Sequence, residues 1–500
     1  MSKQVQVKVE NFFGGISDSP RKVSNNEFQS SRHFDIFSDP KKLTPYRSLE
    51  ADTETSVSAT DLKQYLVRDF VYASASAKFY GLGQTGAGLT KIVQKADATT
   101  GLWTLPASSE GNGAVKNGCF FEYKDYLWGF QGTNQIFKWG LLSGTPSITN
   151  SVATVASTIT SVANGVIAAD GNAYMAYNNV VVRVATDAST ITDSAKTVPT
   201  NYKITSLANY GSYLAIGCSP KDSFNGKSTI FLWNLSSDLF YDTIDWGEGD
   251  LRILEPIEGF LVGITDRYLN NATGAGKGSL IIQGYSGGSA QVLKEVFTQS
   301  LVGKTIPISK FVKNNRLFFA AKIMTNSAGT EYVEGIWSFG RKNSNYPWAL
   351  TLDIIDTNID TDGIQAIGSA ANYFFIAHSG DGSVDKTNDA STFAFTSIYE
   401  SQIFNFGDTT SDKQLNSVKV FYRKLAAGET VTLKYRVNGA TSWTTIGSDA
   451  VDDSLSRTYL NIESTGAELA SFKELEIRIE SDGGAEVTGF EINAEILDTP

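Results

Sequence analysis

From about residue 62 onward, apolar and polar positions alternate in short runs broken by clusters of Gly, Asn, Asp and Ser. A period of two sends successive side chains to opposite faces of an extended chain, so each run predicts a half-buried antiparallel strand. Examples are Phe70 to Phe79 (FVYASASAKF), Tyr126 to Phe130 (YLWGF), Gly165 to Tyr177 (GVIAADGNAYMAY), Leu214 to Ile216, Ser279 to Ile282 and Leu317 to Lys322 (LFFAAK). Apolar spacing of helical period, sustained over the length of an ordinary helix, is missing. The pattern predicts an all-β protein.

The runs form a loose repeat. An apolar strand leads to a Gly- or Asn-containing turn, then a strand such as YLAIG or FFIAH, a variable loop, and a strand carrying an aromatic residue. The units span roughly 62–110, 111–157, 158–200, 201–246, 247–300, 301–357 and 358–406. Periods of about 40 to 50 residues with several strands each fit propeller blades, because one small sheet cannot bury both faces without neighbours. The count is about seven blades, and the spacing also admits six or eight. No WD dipeptide or kelch di-glycine recurs, so the reading rests on spacing.

The pattern changes after about residue 395. Val431 to Ser448 (VTLKYRVNGATSWTTIGS) reads as a hairpin with Asn438-Gly439 at its tip, a dipeptide suited to the positive φ angles of a tight turn. Lys473 to Ser481 and Val487 to Leu497 alternate strictly, and about a hundred such residues predict a C-terminal antiparallel β-sandwich. The expected domains are 1–61 (extended N-terminal arm and first strands), 62–400 (propeller) and 401–500 (sandwich), with Phe395 to Gly407 as the connection. The first fifty residues fit neither pattern. They are rich in turn formers (Gly14-Gly15, Asp18, Pro20, Asp39-Pro40, Pro45) yet carry Phe12, Phe13, Phe34, Ile36 and Phe37. That mixture predicts an arm docked on the propeller or on a neighbouring subunit.

Composition narrows the function. The chain has 500 residues, with 42 Lys+Arg against 53 Asp+Glu, a net charge of -11 and 19% charged residues. This balance disfavours a general nucleic-acid-binding surface, and 41% hydrophobic residues suffice for a core. Cys119 and Cys218 are too far apart for a C-x-x-C site and read as buried core thiols. His33 and His378 are the only histidines, too few for a zinc site without carboxylates. The N-terminus has no apolar signal-peptide core and no run is long enough to span a membrane, so the expectation is synthesis in the cytoplasm without a membrane span.

No motif carries chemistry. Gly81-x-Gly83-x-x-Gly86 matches a dinucleotide fingerprint, but the residues after it alternate like strands where a helix is needed, so a hairpin is expected. Gly274 to Ser279 evokes a phosphate loop, but Gly278 replaces the Ser or Thr and Asn271 the first Gly, leaving a hairpin tip. Asp381, Ser383, Asp385, Thr387 and Asp389 alternate like calcium ligands, yet Lys386 stands in place of the required Gly and Thr392 in place of the bidentate Glu. Asp356, Asn358, Asp360 and Asp362 form a second oxygen-rich run, and both runs read as turns. Ser379-x-Asp381 begins like a sialidase Asp-box, but no Trp follows at the proper offset and the motif is not repeated. No carboxylate pair, nucleophile elbow or His-nucleophile pattern stands out, so no catalytic, cofactor or metal residue is assigned and the expectation is not an enzyme. Of Trp103, Trp128, Trp139, Trp233, Trp246, Trp337, Trp348 and Trp443, most fall on blade strands and read as core. Trp443, beside the Asn438-Gly439 turn, is the one expected to be partly exposed.

Two segments resemble tailed-bacteriophage virion proteins. NFFGGISDSPRKVSNNEFQSSRHFDIFSDPKKLTPYRS, with its GGI turn, DIFSDP and L-x-P, is similar to the start of one class of them. YESQIFNFGDTTSDKQLNSVKVFYRKLAAGETVTLKYRVNGATSWTTIG resembles sandwich domains of phage tail proteins. The resemblance covers about a third of the chain and points to the nozzle or hub of a short-tailed phage. It implies a virion structural protein, made in the bacterial host, that assembles as a ring of six with neighbouring tail proteins and lets DNA pass without tight binding. It carries over no catalytic residue. Fibre-hub proteins of long-tailed phages share such sandwiches, so the alternative is a receptor- or glycan-binding tail-tip protein that recognises the host surface.

Overall fold

The computed structural model describes residues 3–17, 27–52, 65–95, 103–221, 226–268, 277–299, 309–324, 332–356, 363–378, 383–387, 393, 395–450, 455–460 and 471–497. Among them every regular element is a strand, and no helix is long and apolar enough to cross a membrane. The chain forms two compact units. One comprises Met1–Leu49, Met324–Ile355 and Asn388–Pro500, and the other Glu50–Ile323 and Asp356–Thr387.

The larger unit, from Glu50, is a succession of antiparallel up-and-down sheets that follows the repeat spacing. Asp69–Ala73, Lys78–Gln84 and Leu89–Lys95 form the first, with Trp103–Thr104 at its edge. The second runs from the long strand Glu110–Tyr123 through Tyr126–Gln131 and Gln135–Gly140 to Ser147–Thr154. Val162–Ile167 opens the third, Tyr202–Tyr210 the fourth and Asp250–Ile257 the fifth, each sheet having four strands in sequence order. Lys310–Lys313 pairs with Arg316–Met324, and Ile364–Ala370 opens a last sheet with Tyr373–His378 and Val384–Thr387.

Two-residue turns hold these hairpins in register. Lys124-Asp125 and Asn314-Asn315 both have positive φ (50° and 65°, 51° and 59°), the twist that matches the strands on either side. The first strand of each sheet lies beside the first strand of the next: Asp69–Ala73 by Glu110–Tyr123, then Val162–Ile167, Tyr202–Tyr210 and Asp250–Ile257. Lys310–Lys313 lies by Ile364–Ala370, which in turn lies against Asp69–Ala73. Each buried layer is shared by two consecutive sheets. Trp128 and Phe130 pack with Met175 and Val182, Tyr174 and Val181 with Leu214 and Trp233, and Phe79 and Trp103 with Phe375 and Ala377. Every such side chain contributes about 1.5–3 kcal/mol by leaving water, and it can do so only where a second sheet covers it.

The last sheet corrects the expected repeat. Its fourth strand is Leu49–Ala51, from the other end of the sequence. The Asp52 N–H donates to the Val384 carbonyl at 2.8 Å.

Among the described residues the smaller unit contains two large sheets and the short pair Phe34–Asp35 with Thr44–Pro45. In one, Lys3–Val9, Val487–Ile496, Lys413–Tyr422 and Ser456–Leu460 lie in that order. The other includes Ala349–Ile355, Phe28–Arg32, Ser397–Ser401, Leu475–Asp482, Thr430–Val437 and Thr444–Ala450. Rings from the two sheets meet where Phe490 contacts Tyr399 at 5.9 Å. Tyr399 also contacts Phe12 at 5.3 Å and Phe28 at 5.5 Å.

Within the chain, the arm is part of the smaller unit. Lys3–Val9 pairs along its whole length with Val487–Ile496, from Lys3↔Ile496 to Val9↔Phe490. Phe12, Phe28, Phe34, Ile36 and Leu43 are fully buried. Gly15, at φ 71°, lies so close to Ala349 that a Cβ there would meet its Cβ at 2.8 Å, which fixes the arm against that strand. The unit boundaries accordingly differ from 61/62 and 400/401. Residues 1–49 and the hairpin Tyr332–Gly340/Ala349–Ile355 belong with the C-terminal strands.

Candidate functional site

In the larger unit the seven first strands converge on a cavity of about 410 Å³. Phe70, Phe120, Gly165, Leu207, Glu255, Phe311 and Gly368 line it, one from each strand. A chain of side-chain contacts links successive strands around it. Asp69 accepts the backbone N–H groups of Phe70 and Gly118. The Phe121 ring fills the space where Gly165 has no side chain, so that a Cβ there would sit 2.0 Å from it. Asn164 Nδ2 donates to the Leu207 carbonyl (2.8 Å), and its Oδ1 accepts the Leu207 N–H (2.9 Å) and the Ser206 hydroxyl (3.0 Å). Ser206 Oγ in turn accepts the Leu254 N–H at 3.1 Å. Lys310 pairs with Glu255 at 2.7 Å. Ser309 Oγ donates to the Ile367 carbonyl (2.6 Å) and accepts the Ile367 N–H (3.1 Å). Gly368 then receives Phe70, whose Cβ would lie 2.7 Å from an added Cβ.

The larger unit also holds two buried ionic groups. Lys95 Nζ donates to both oxygens of Asp52 (2.9 and 2.8 Å), and Trp103 Nε1 donates to Asp52 Oδ2 (2.7 Å). Both charged side chains are completely buried. Asp52 thus holds the first sheet by its carboxylate and the last by its backbone N–H.

His378 lies between Asp356 Oδ2 (3.4 Å from Nδ1) and Asp385 Oδ2 (3.2 Å from Nε2). Burial pulls the imidazole down, but hydrogen bonds and charge from the two carboxylates outweigh it and raise the pKa to about 10. Asp69 has no charged partner among the described residues, and burial pushes its carboxyl up to about 7 despite its two backbone donors. The sign for His378 follows from linkage: a folded-state pKa above the ordinary 6.5 stabilises fully below pH 6.5, and this stabilisation is lost as pH rises toward 10. The urea midpoint is expected to fall across that window, and His378→Gln to remove that part of the slope. An unchanged slope in the variant contradicts the clamp.

Other residues singled out by sequence serve structure. Gly81 and Gly83 lie on Lys78–Gln84, and Gly86 in the turn to Leu89–Lys95, so the dinucleotide-like motif is a hairpin. Gly278 and Ser279 lie on Lys277–Tyr285, while Asn271 and residues 274–276 lie outside the described residues. Of the two oxygen-rich runs, Asp356 and Asp385 face His378, and Asp381, Asp389, Thr392, Asn358, Asp360 and Asp362 lie outside the described residues, as does Ser379. Among the described residues no cluster of three or more His, Cys, Asp or Glu could hold a metal ion. Cys119 and Cys218 are buried and free, and burial pushes both thiols up. His33 is buried at φ 62° and stacked on Phe395 at 5.4 Å, and burial followed by the charge of Arg32 lowers its pKa to about 4.

Trp103, Trp128, Trp139, Trp233, Trp246 and Trp337 are core residues. Trp348 and Trp443 are half-buried. The guanidinium carbons of Arg436 and Arg478 lie 4.4 and 4.5 Å from the Trp443 ring centroid. Both arginines are pinned in the sheet beneath, Arg436 by Glu476 (2.5 Å) and Arg478 by Glu400.

No protein-family model matches the chain. No curated protein sequence matches it either. Among solved structures, it is similar to the Dos1 propeller (13% identity, TM-score 0.43, 68% of this chain and 94% of that one). It is also similar to the N-terminal domain of Nup159 (10% identity, TM-score 0.41, 75% and 98%). A third is BamB from Moraxella catarrhalis (12% identity, TM-score 0.31, 62% and 80%). At these scores the likenesses carry no argument about function.

Proposed function

We propose that the larger unit is a closed seven-bladed propeller, that the smaller is a β-sandwich completed by the N-terminal arm, and that the chain is a structural subunit of a bacteriophage tail hub or nozzle. Support for closure comes from the side-chain links that lead from strand to strand and return from Gly368 to Phe70, and from the Leu49–Ala51 strand that completes the last sheet. Joining both ends of a ring within one sheet is how a circular arrangement avoids an open edge.

One observation carries the tail assignment. The two segments whose sequences resemble phage tail proteins, at residues 11–48 and 399–447, are neighbours in one sheet: Phe28–Arg32 pairs with Ser397–Ser401, with Ser31 opposite Tyr399. That both stretches belong to one folded module supports this reading. The cavity among the seven strands has the volume of a small-molecule pocket. Any passage for duplex DNA would therefore be formed by several copies of the chain around a common axis. Mass spectrometry of purified phage particles tests the assignment. Its peptides should be present at a constant ratio to the other tail proteins, and their confinement to the particle-free lysate would overturn it.

A further inference from the structure

A second cavity of about 360 Å³ in the larger unit lies at the other end of the same strands. Its lining residues precede those of the first cavity on each strand: Arg68 comes before Phe70, Lys116 before Phe120, Lys203 before Leu207, and Arg252 before Glu255. Three strands, and the residue just before a fourth, thus each contribute one cation to a single concave space. These residues are more than a hundred and eighty positions apart at the extremes, so no local charge run announces them.

The cations are poorly neutralised. Asp250 Oδ2 holds both Lys203 (3.3 Å) and Arg252 (2.9 Å). Lys116 Nζ donates to the Ile159 carbonyl at 3.1 Å, a neutral partner. The Arg68 guanidinium has no ion pair or side-chain hydrogen bond among the described residues, and its Nε and that of Arg252 are buried without a partner. Burial accordingly pulls Arg68 below its ordinary value. Asp266, opposite Asp250 in register, is the other nearby carboxylate, and burial pushes it up to about 6. Four cations face two carboxylates, and both of these lie behind the lining.

We propose that this cavity binds a phosphate-type oxyanion carried on a compact ligand. Cations gathered with too few carboxylates repel one another, and a tetrahedral oxyanion offsets this with charge-assisted hydrogen bonds that suit the planar fork of a guanidinium. Cations fixed on neighbouring strands lose little freedom on binding. The concave walls admit a phosphate group and exclude the continuous backbone of a duplex. The inference stands independently of the tail assignment, since it rests on the larger unit alone.

Calorimetric titration of the full chain with pyrophosphate, at fixed ionic strength, tests it against a short DNA duplex. Saturable pyrophosphate binding is expected, weakened at least tenfold in Arg68→Gln and in Lys116→Gln, with the duplex binding no better than it does to those variants. Lys227→Gln, an exposed lysine paired with Asp245 outside the cavity, should bind as the parent does. Thermal melts without ligand check folding, and if Arg68→Gln is unfolded, Lys116→Gln decides. Absence of saturable pyrophosphate binding, parent-like binding by the cavity variants, or duplex binding without pyrophosphate binding would overturn the proposal.

Discussion

Asp52→Ala is expected to cost about 3–5 kcal/mol of stability, because it removes a carboxylate that holds the fully buried ammonium of Lys95 with both of its oxygens. The same substitution removes the acceptor of Trp103 Nε1. The loss falls where the ends of the larger unit meet, since the Asp52 backbone also holds Val384. Cooperative urea unfolding followed by tryptophan fluorescence should show a lowered midpoint. The pair itself is not the source of the stability: two charges taken from water repay their desolvation only through good geometry. Replacing both, as Asp52→Leu with Lys95→Met, should therefore recover most of what the single variant loses. A single variant within about 1 kcal/mol of the parent would mean that water reaches Lys95 and that the sheet edge is open.

Removing residues 1–48 should abolish folding of the smaller unit. Phe12, Phe28, Phe34, Ile36 and Leu43 are fully buried, and each large apolar side chain lost from a core typically costs about 2–5 kcal/mol. Their sum exceeds the ~5–15 kcal/mol that holds a whole domain together. The truncation also exposes the edge of Val487–Ile496 and of Ser397–Ser401, which pair with arm strands. Aggregation, or rapid proteolysis confined to the C-terminal segment, is expected. A soluble truncated chain whose residues 395–497 resist protease as in the parent would show that the arm is accessory.

What could be read from the sequence was local. Alternation identifies strands such as YLWGF and YLAIG because a strand's two faces see different surroundings whatever its partner. Turn chemistry was equally visible: Asn438 and Gly439 adopt φ 51° and 72°, and the Ala440 N–H closes the turn on Val437. Six of the eight tryptophans lie in the core, as their places on apolar strands suggest. What could not be read was pairing across long separations. Lys3–Val9 alternates like any edge strand, and nothing in KQVQVKV names Val487–Ile496 as its partner. Leu49–Ala51 is three residues long, too short for periodicity to register, yet it completes the last sheet. The ionic groups were hidden for the same reason. Asp356, His378 and Asp385 meet only after folding, and the net charge of -11 conceals the convergence of Arg68, Lys116, Lys203 and Arg252. Net charge still predicts weak binding to duplex DNA, since the cations are gathered in a recess rather than spread along a surface.

Immunogold labelling of intact purified phage particles, with antibody raised against the hairpin at residues 430–450, addresses the tail assignment most directly. Gold is expected at the end of the tail, in several copies per particle, and absent from the capsid. Particles that carry no label while the free chain in the lysate is recognised, or label distributed over the capsid, would contradict it.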